Sequence, residues 1–355
     1  MAKLFFSKNK LFNNIIKLNE LLEINGISLN LVTKFCLSKK EILQTFLEDK
    51  IVQGISDSNM INFIQLPENL ASYYNRSLIK TRISDIKSLP DIPKYARPTR
   101  LFVSDKALLE ELKQLPKSVV PEIILIIENG DNKEGFLPQT VSEVLDSYSE
   151  LNIKGISTNY SCLSGNLPTE ESVKELAELA NFVSKKTNKP PFFSIGGTVV
   201  YDLLKAGKLK GLVQEVRMGE GVFFGYDSSS GKKIPELENN IFRLEGEILE
   251  VCCKEILPSE NDGGFTAIGE KMNVKITTGI RKRAVLDFGI LVSSFKNLSL
   301  SDLKITYVGQ TFDFSVLDIT ESTYSYSPGN YISFIPDYGG VSQAMINPFV
   351  NLCVV

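Results

Sequence analysis

Through the first part of the chain, short apolar runs with strand-like alternation are separated by longer segments of helical spacing. The strand-like runs are LNLVTK (29–34), IVQGIS (51–56), LIKTRI (78–83), RLFVS (100–104), EIILIIE (122–128), IKGIST (153–158), FFSIGG (192–197) and EVRMGE (215–220). Between them, KALLEELKQL (106–115) and PTEESVKELAELANFVSKK (168–186) show the clearest helical period, the second with Thr169 as N-cap and acidic residues in its first turn. SDIKSLPDIPKYARPT (84–99) carries three prolines and predicts only a short helix. Eight strand-then-helix units predict an α/β fold built on a closed (β/α)8 barrel, with a doubly wound open sheet as the alternative.

After Gly225 the texture changes. FRLEGEILEVC (242–252), MNVKITTG (272–279), RAVLDFG (283–289), LKITYVG (303–309), FSVLDIT (314–320) and NYISFIP (330–336) are strand-like pieces separated by turns, with no long helical period. The pattern predicts a barrel over 8–222 and a C-terminal all-β domain over 223–355. The opening KLFFS has no place in the barrel count and is expected to join the β domain as strand 1–7.

Composition narrows the chemistry. Of 355 residues none is histidine, so imidazole bases and His-ligated metal sites are excluded, and no metal site is expected. Acid–base work falls to Lys, Tyr, Cys, Asp or Glu, or to a cofactor. A net charge of −3, from 39 basic and 42 acidic residues, leaves no electrostatic footprint for nucleic acid. No apolar window approaches the ~20 residues of a membrane span, and the charged N-terminus reads as no signal peptide, so a cytoplasmic protein without a membrane partner is expected. Five cysteines, two of them adjacent (Cys252, Cys253), match neither a disulfide framework nor a zinc pattern.

In a (β/α)8 barrel the C-terminal strand ends carry the chemistry. Lys34 ends the first apolar run, where a lysine must reach water or perform a function. IGGT (195–198) follows the seventh run and opens a helix, an arrangement that binds phosphate through backbone amides, although a plain turn and cap has the same sequence. Arg217 closes the eighth run and would face the same mouth. A lysine amine beside a phosphate cradle and a cation fits pyridoxal phosphate held as a Schiff base on Lys34.

These residues bring a known family into view. The chain resembles the alanine racemase-like, fold-type III pyridoxal-phosphate enzymes over nearly its whole length. Val32-Thr33-Lys34 matches the Schiff-base lysine context, GISDSNMIN (54–62) a G-D-S-like turn, ENGDNKEG (128–135) a D-x-G-D-x-R-E-G segment, and GISTNYSC (155–162) a G-x-G-T-N-x-x-C run. SIGGT (194–198) matches an S-G-G-N-S phosphate loop, RMGE (217–220) an R-x-G-E signature, and GIRKRAVLDFG (279–289) and DYGGVSQAMINPFV (337–350) match β-domain segments. The resemblance implies a cofactor site of Lys34, Asn159, Ser194, Gly196, Gly197, Thr198, Arg217, Gly219 and Tyr338, with Arg217 toward the pyridine nitrogen. It implies substrate contacts at Lys133, where relatives carry arginine, and at Asp313 in TFDF (311–314), where the family's neighbouring histidine is Phe314. PSENDGGFTAIGE (258–270) lacks the tyrosine that alanine racemases use for catalysis.

The resemblance implies an amino-acid racemase acting on a basic substrate such as ornithine, through α-proton abstraction by Lys34. The second acid–base group is open between Cys162 and, from a partner's β domain, Asp262 or Glu260. A homodimer with shared active sites is expected. The acidic residues Glu128, Asp131 and Glu134 could receive a side-chain ammonium or simply form a solvated loop. Alternatives are a decarboxylase or lyase on the same fold and a catalytically dead cofactor-binding protein.

Overall fold

The computed structural model describes residues 1–47, 50–227, 229–257, 265, 269 and 278–355. Two compact units are present, Asn9–Asn239 and Met1–Lys8 together with Asn240–Val355.

The chain opens with β1 (Lys3–Phe6), which belongs to the second unit. In the first unit eight parallel strands close into a barrel in chain order: β2 (Ser28–Val32), β3 (Gly54–Asp57), β4 (Asn75–Leu78), β5 (Arg100–Val103), β6 (Glu122–Ile126), β7 (Ile153–Asn159), β8 (Phe193–Gly196) and β9 (Glu215–Met218), the last pairing back onto β2. The α/β barrel expected from the pattern of apolar runs is thus the fold of this unit. Its third strand differs. Strand β4 lies before the apolar run LIKTRI, and Ile83–Ser88 within and after that run is helical, with Arg82 at its N-cap. Inside β4, Arg76 is buried and donates to the carbonyls of Tyr74 and Arg97, so a polar sequence pairs as a strand because its cation has backbone acceptors.

Helix Glu170–Thr187 begins at Thr169, whose hydroxyl accepts from the Ser172 N–H while the Ser172 hydroxyl accepts from the Thr169 N–H. Residues 223–239, assigned to the β domain by texture, belong with the barrel. Asn14 on helix Lys8–Asn25 donates to the carbonyls of Val222 and Glu238 and accepts from the Glu238 N–H, tying that segment down.

In the second unit β10 (Phe242–Ile256), β11 (Gly279–Leu286), β12 (Leu298–Leu300), β13 (Thr306–Gln310), β14 (Ser315–Asp318) and β15 (Tyr331–Pro336) run in the order β12-β15-β10-β11-β14-β13, every neighbour antiparallel. Strand β1 pairs antiparallel with β10 and parallel with β16 (Asn351–Val354). Phe6, Phe242, Phe288 and Phe334 are fully buried in this unit. One helix was not legible in the sequence: Tyr338–Ile346, capped by Asp337, whose carboxylate accepts from the Gly340 N–H at 2.8 Å. It contains no charged residue, so it lacks the polar stripe by which a surface helix is read. Most of MNVKITTG (272–279) lies outside the described residues.

Candidate active site

Strand parity sets what faces the barrel interior. Residues two apart share a face, so Asn30 on β2, Ser56 on β3, Ser194 on β8 and Glu215 with Arg217 on β9 converge inside. Arg100 donates to Glu215 at 2.7 Å, Ser194 Oγ donates to the other oxygen of Glu215 at 2.6 Å, and Arg217 Nη1 donates to Ser194 Oγ at 2.6 Å. Asn30 donates to Glu215 and accepts from Ser56 at 2.6 Å. Phe102, Ile124, Ile126 and Phe192 form an apolar cluster in the same unit.

Arg217 ends this chain of bonds nearest the mouth. It is 3% exposed, and its Nη2 donates to the Thr158 carbonyl and the Asn159 side-chain oxygen, both at 3.0 Å. Its guanidinium lies 4.8 Å from the Phe102 ring. Burial pulls its pKa down to about 10, opposed by Glu215 and Glu134, so it is a cation at neutral pH. Gly196 makes this packing feasible. A Cβ there would come within 2.4 Å of Asn159 Oδ1 and 2.6 Å of Arg217 Nη2.

After Gly196 the backbone turns at Gly197 with φ +115°, a region open to glycine. Thr198 follows and opens a short helical turn, and its hydroxyl accepts from the Gly221 N–H at 2.9 Å. That bond leaves the hydroxyl proton free among the described residues. Gly221 lies in the second short helix, Glu220–Phe224, which begins just after Gly219. A Cβ on Gly219 would meet the Val32 carbonyl at 3.0 Å, so the β9 turn sits directly against the end of β2.

Lys34 stands at that end of β2. Its side chain is exposed, and among the described residues it makes no hydrogen bond or ion pair. Its neighbours are anchored. Phe35 packs edge-on to Phe223 and Phe224 at 4.7 and 5.4 Å, and the buried Cys36 thiol donates to the Thr33 carbonyl. Burial pushes that thiol far above its ordinary range. The turn then passes through two non-glycine residues at positive φ, Leu37 (55°) and Ser38 (47°), each costing on the order of 1–3 kcal/mol. Ser38 Oγ donates to Asp57 Oδ2 at 2.8 Å and lies 2.8 Å from Thr33 Oγ1. Asp57 is fully buried at the end of β3, and its other oxygen accepts from the Asn59 N–H and the Asn62 amide. Burial raises its carboxyl despite these donors.

Two loops rise from the neighbouring strands. After β6, Glu128 accepts from the N–H groups of Gly130, Asn132 and Lys133, which commits it to its own loop. Asp131 is 3% exposed, and one of its oxygens accepts from the N–H groups of Cys162, Leu163 and Ser164, while the other is buried without a partner. Burial pushes this carboxyl up, but the three N–H bonds and the Ser164 hydroxyl outweigh it and hold the group below its ordinary value. Lys133 donates to Cys162 Sγ at 3.1 Å and pairs with Glu134 at 3.1 Å. Burial lowers this ammonium, but Cys162 and Glu134 more than offset it.

Of the residues singled out in the sequence, Lys34, Asn159, Ser194, Gly196, Gly197, Thr198, Arg217 and Gly219 thus lie at the ends of β2, β7, β8 and β9, and Lys133 with Cys162 on the adjoining loops. Asp313, in the turn between β13 and β14, and Tyr338 lie in the other unit. Glu260 and Asp262 lie outside the described residues. Arg82 sits one turn beyond β4 and pairs with Asp85. Sequence reasoning missed Glu215, Arg100, Asn30 and Ser38, and reached Asp57 only as a strand end within GISDSNMIN (54–62), with no role for it. For Glu215 there was a signal: a glutamate two residues before Arg217 must share its face of β9. Among the described residues no cluster of His, Cys, Asp or Glu could hold a metal ion, and no helix is long and apolar enough to cross a membrane.

The model of the alanine racemase N-terminal domain matches residues 70–227. The ornithine racemase of Acetoanaerobium sticklandii is 26% identical over 98% of both chains, and the lysine racemase of Thermotoga maritima 25% identical over 98% of this chain and 97% of its own. A solved alanine racemase of Clostridium difficile superposes with a TM-score of 0.73 at 15% identity, covering 100% of this chain and 95% of that one. The superposition shows that this chain shares the fold of that structure, a closed parallel barrel followed by an antiparallel β unit, and residues 70–227 are similar to the alanine racemase N-terminal domain.

Proposed function

We propose that the chain is a pyridoxal-phosphate-dependent amino-acid racemase acting on a basic amino acid. One observation carries this: Lys34, an amine without a partner among the described residues, begins the turn just after β2, the strand that pairs with β9, whose buried cation Arg217 is locked by Ser194 and Asn159 beside a glycine turn. The residues fit a phosphorylated aldehyde. Lys34 offers the amine for the aldehyde. At the turn Gly197-Thr198, Thr198 offers an anion a hydroxyl proton that is spare among the described residues, beside the start of a helical turn.

When bound, the cofactor supplies an electron sink that acidifies the α-hydrogen of an attached amino acid. Arg217 offers only donors to a ring nitrogen and so keeps it unprotonated. Lys34 takes the α-proton on one face, and Cys162 is the candidate to return one on the other. Lys133 keeps the charge needed to hold a substrate carboxylate, without arginine's fork. The ornithine and lysine specificities of the two relatives favour a substrate with a distal ammonium. With Glu128 committed to its loop and Asp131 buried, Glu134, which is partly exposed and pairs with Lys133, is the acidic group of this loop best placed to meet it.

The test is α-hydrogen exchange in deuterated solvent across the common amino acids. Exchange with inversion of lysine or ornithine is expected. Exchange with none, in protein that binds the cofactor, would indicate a carrier, and release of carbon dioxide a decarboxylase. The reading makes the protein a cytoplasmic homodimer whose sites use both chains, with Asp313, Tyr338 and Asp262 as the β-domain contributors. Mixing a Lys34→Ala chain with a Tyr338→Phe chain, each inactive alone, should restore about one working site per heterodimer. No recovery in proven heterodimers sinks the shared site.

A further inference from the structure

We infer that Asp57 is a positioning residue for Lys34, acting through Ser38 and Thr33. The inference rests on Lys34 being the amine that takes the cofactor. Lys34 is exposed, and the turn that carries it is held from both sides. On one side Phe35 is wedged against Phe223 and Phe224. On the other, three buried side chains form a continuous line from the end of β3 to the residue before the lysine: Asp57 Oδ2 to Ser38 Oγ at 2.8 Å, Ser38 Oγ to Thr33 Oγ1 at 2.8 Å, and Thr33 Oγ1 to the Ser56 carbonyl at 3.2 Å.

The backbone gives the second, independent sign. Leu37 and Ser38 both sit at positive φ although neither is glycine, a conformation that persists only where the surroundings enforce it. The Ser38 N–H donates to the Thr33 carbonyl and the Leu37 N–H to the Lys34 carbonyl, so the strained pair closes the turn back onto the lysine. Asp57 is fully buried, and among the described residues it is the one charged group of this assembly and has no cationic partner. A buried carboxylate is a costly way merely to end a strand. Its four acceptor directions instead fix two turns at once: Asn59 and Asn62 of the turn after β3, and the Lys34 turn through Ser38. Holding the amine in one orientation is what an amine needs to meet an aldehyde repeatedly.

The experiment uses the full chain without cofactor. Pyridoxal phosphate is added, borohydride traps the adduct at timed intervals, and peptide mapping counts the pyridoxyl label on each lysine. In the wild type the label is expected on Lys34. Ser38→Gly relieves the strained φ yet cuts the hydroxyl line, and Asp57→Asn removes the charge at constant shape. Both should slow Lys34 labelling roughly tenfold relative to the exposed Lys94 and Lys210 in the same digest. Thr33→Ser, which keeps the hydroxyl, should label at the wild-type rate. Thermal unfolding identifies the folded variants, and Ser38→Gly decides the matter alone if Asp57→Asn fails to fold. In the wild type, Lys34 labelled no faster than Lys94 and Lys210, or another lysine labelled ahead of it, overturns the assignment of Lys34 and with it the proposed function. Label on Lys34 at an unchanged rate in folded variants overturns the positioning role alone.

Discussion

The ammonium of Lys133 donates to the thiol sulfur of Cys162 across 3.1 Å, joining the loop after β6 to the loop after β7. If Cys162 is the second acid–base group, Cys162→Ala leaves a site with one base. Racemisation should fall on the order of 100-fold, and the loss should be lopsided. One enantiomer would still exchange its α-hydrogen with deuterated solvent without inverting, while the other would do neither. Equal residual exchange of both enantiomers excludes Cys162 from proton transfer. Lys133→Met should mainly raise KM, because it removes the cation available to a carboxylate.

Asp131 makes the same loop sensitive to acid. Its folded pKa is depressed below the ordinary 3.8, so its contribution to stability is fully present above that value and is lost as pH falls through the lower, folded value. Amide exchange at Cys162, Leu163 and Ser164, whose N–H groups it accepts, should accelerate in that window faster than exchange in the barrel strands. In Asp131→Asn these amides should exchange faster already at neutral pH and show no such step. An unchanged pH profile in the variant means that other groups hold the loop.

Two interior glycines should behave differently on methylation. A Cβ at Gly155 would lie 2.1 Å from the Phe192 carbonyl, a backbone atom paired into the barrel. Gly155→Ala should therefore destabilise by about 1–3 kcal/mol or more, read as a lower Tm. A Cβ at Gly196 meets the ends of two side chains, Asn159 and Arg217, which can be displaced. Gly196→Ala should keep most of its Tm and lose activity. The reverse ranking would show that the Arg217–Asn159 bond does not matter to the site.

The barrel was legible in the sequence because its strands are mostly apolar runs closed by polar residues, whereas the cofactor candidates were put forward from a lysine, a glycine turn and an arginine at strand ends together with the family resemblance. Strand β4 was displaced in the sequence reading since Arg76 and Ser77 interrupt its apolar character, and only the Arg97 and Tyr74 carbonyls explain how the arginine is buried. Glu215 was overlooked for the same reason: its partners Arg100, Ser194 and Asn30 come from three other strands. The clasp of Asp57 on Ser38 spans nineteen residues and joins two turns, and no local period announces such a bond. Spacing along the chain reports which face a residue takes, whereas buried polar pairing is a property of the closed barrel.

Arg217 provides the sharpest separation of cofactor binding from reaction outcome. Its guanidinium makes three bonds, to Ser194, Thr158 and Asn159, and each needs a donor. Arg217→Lys keeps the charge but not the fork, so it should bind the cofactor, lose part of its activity, and still invert without side reaction. Arg217→Glu sets a carboxylate against the Thr158 carbonyl and, through Ser194, against Glu215, at a cost of about 3–5 kcal/mol for a buried charge left without its partner. An acid at this position would also share a proton with a ring nitrogen, which deepens the electron sink and permits transamination. The expected result is a changed visible spectrum, a large loss of racemisation and release of keto acid from the same amino acid. A folded Arg217→Glu protein whose spectrum and product ratio match the wild type would mean that Arg217 does not touch the ring, and that its role is confined to bracing β7 and β8 against β9.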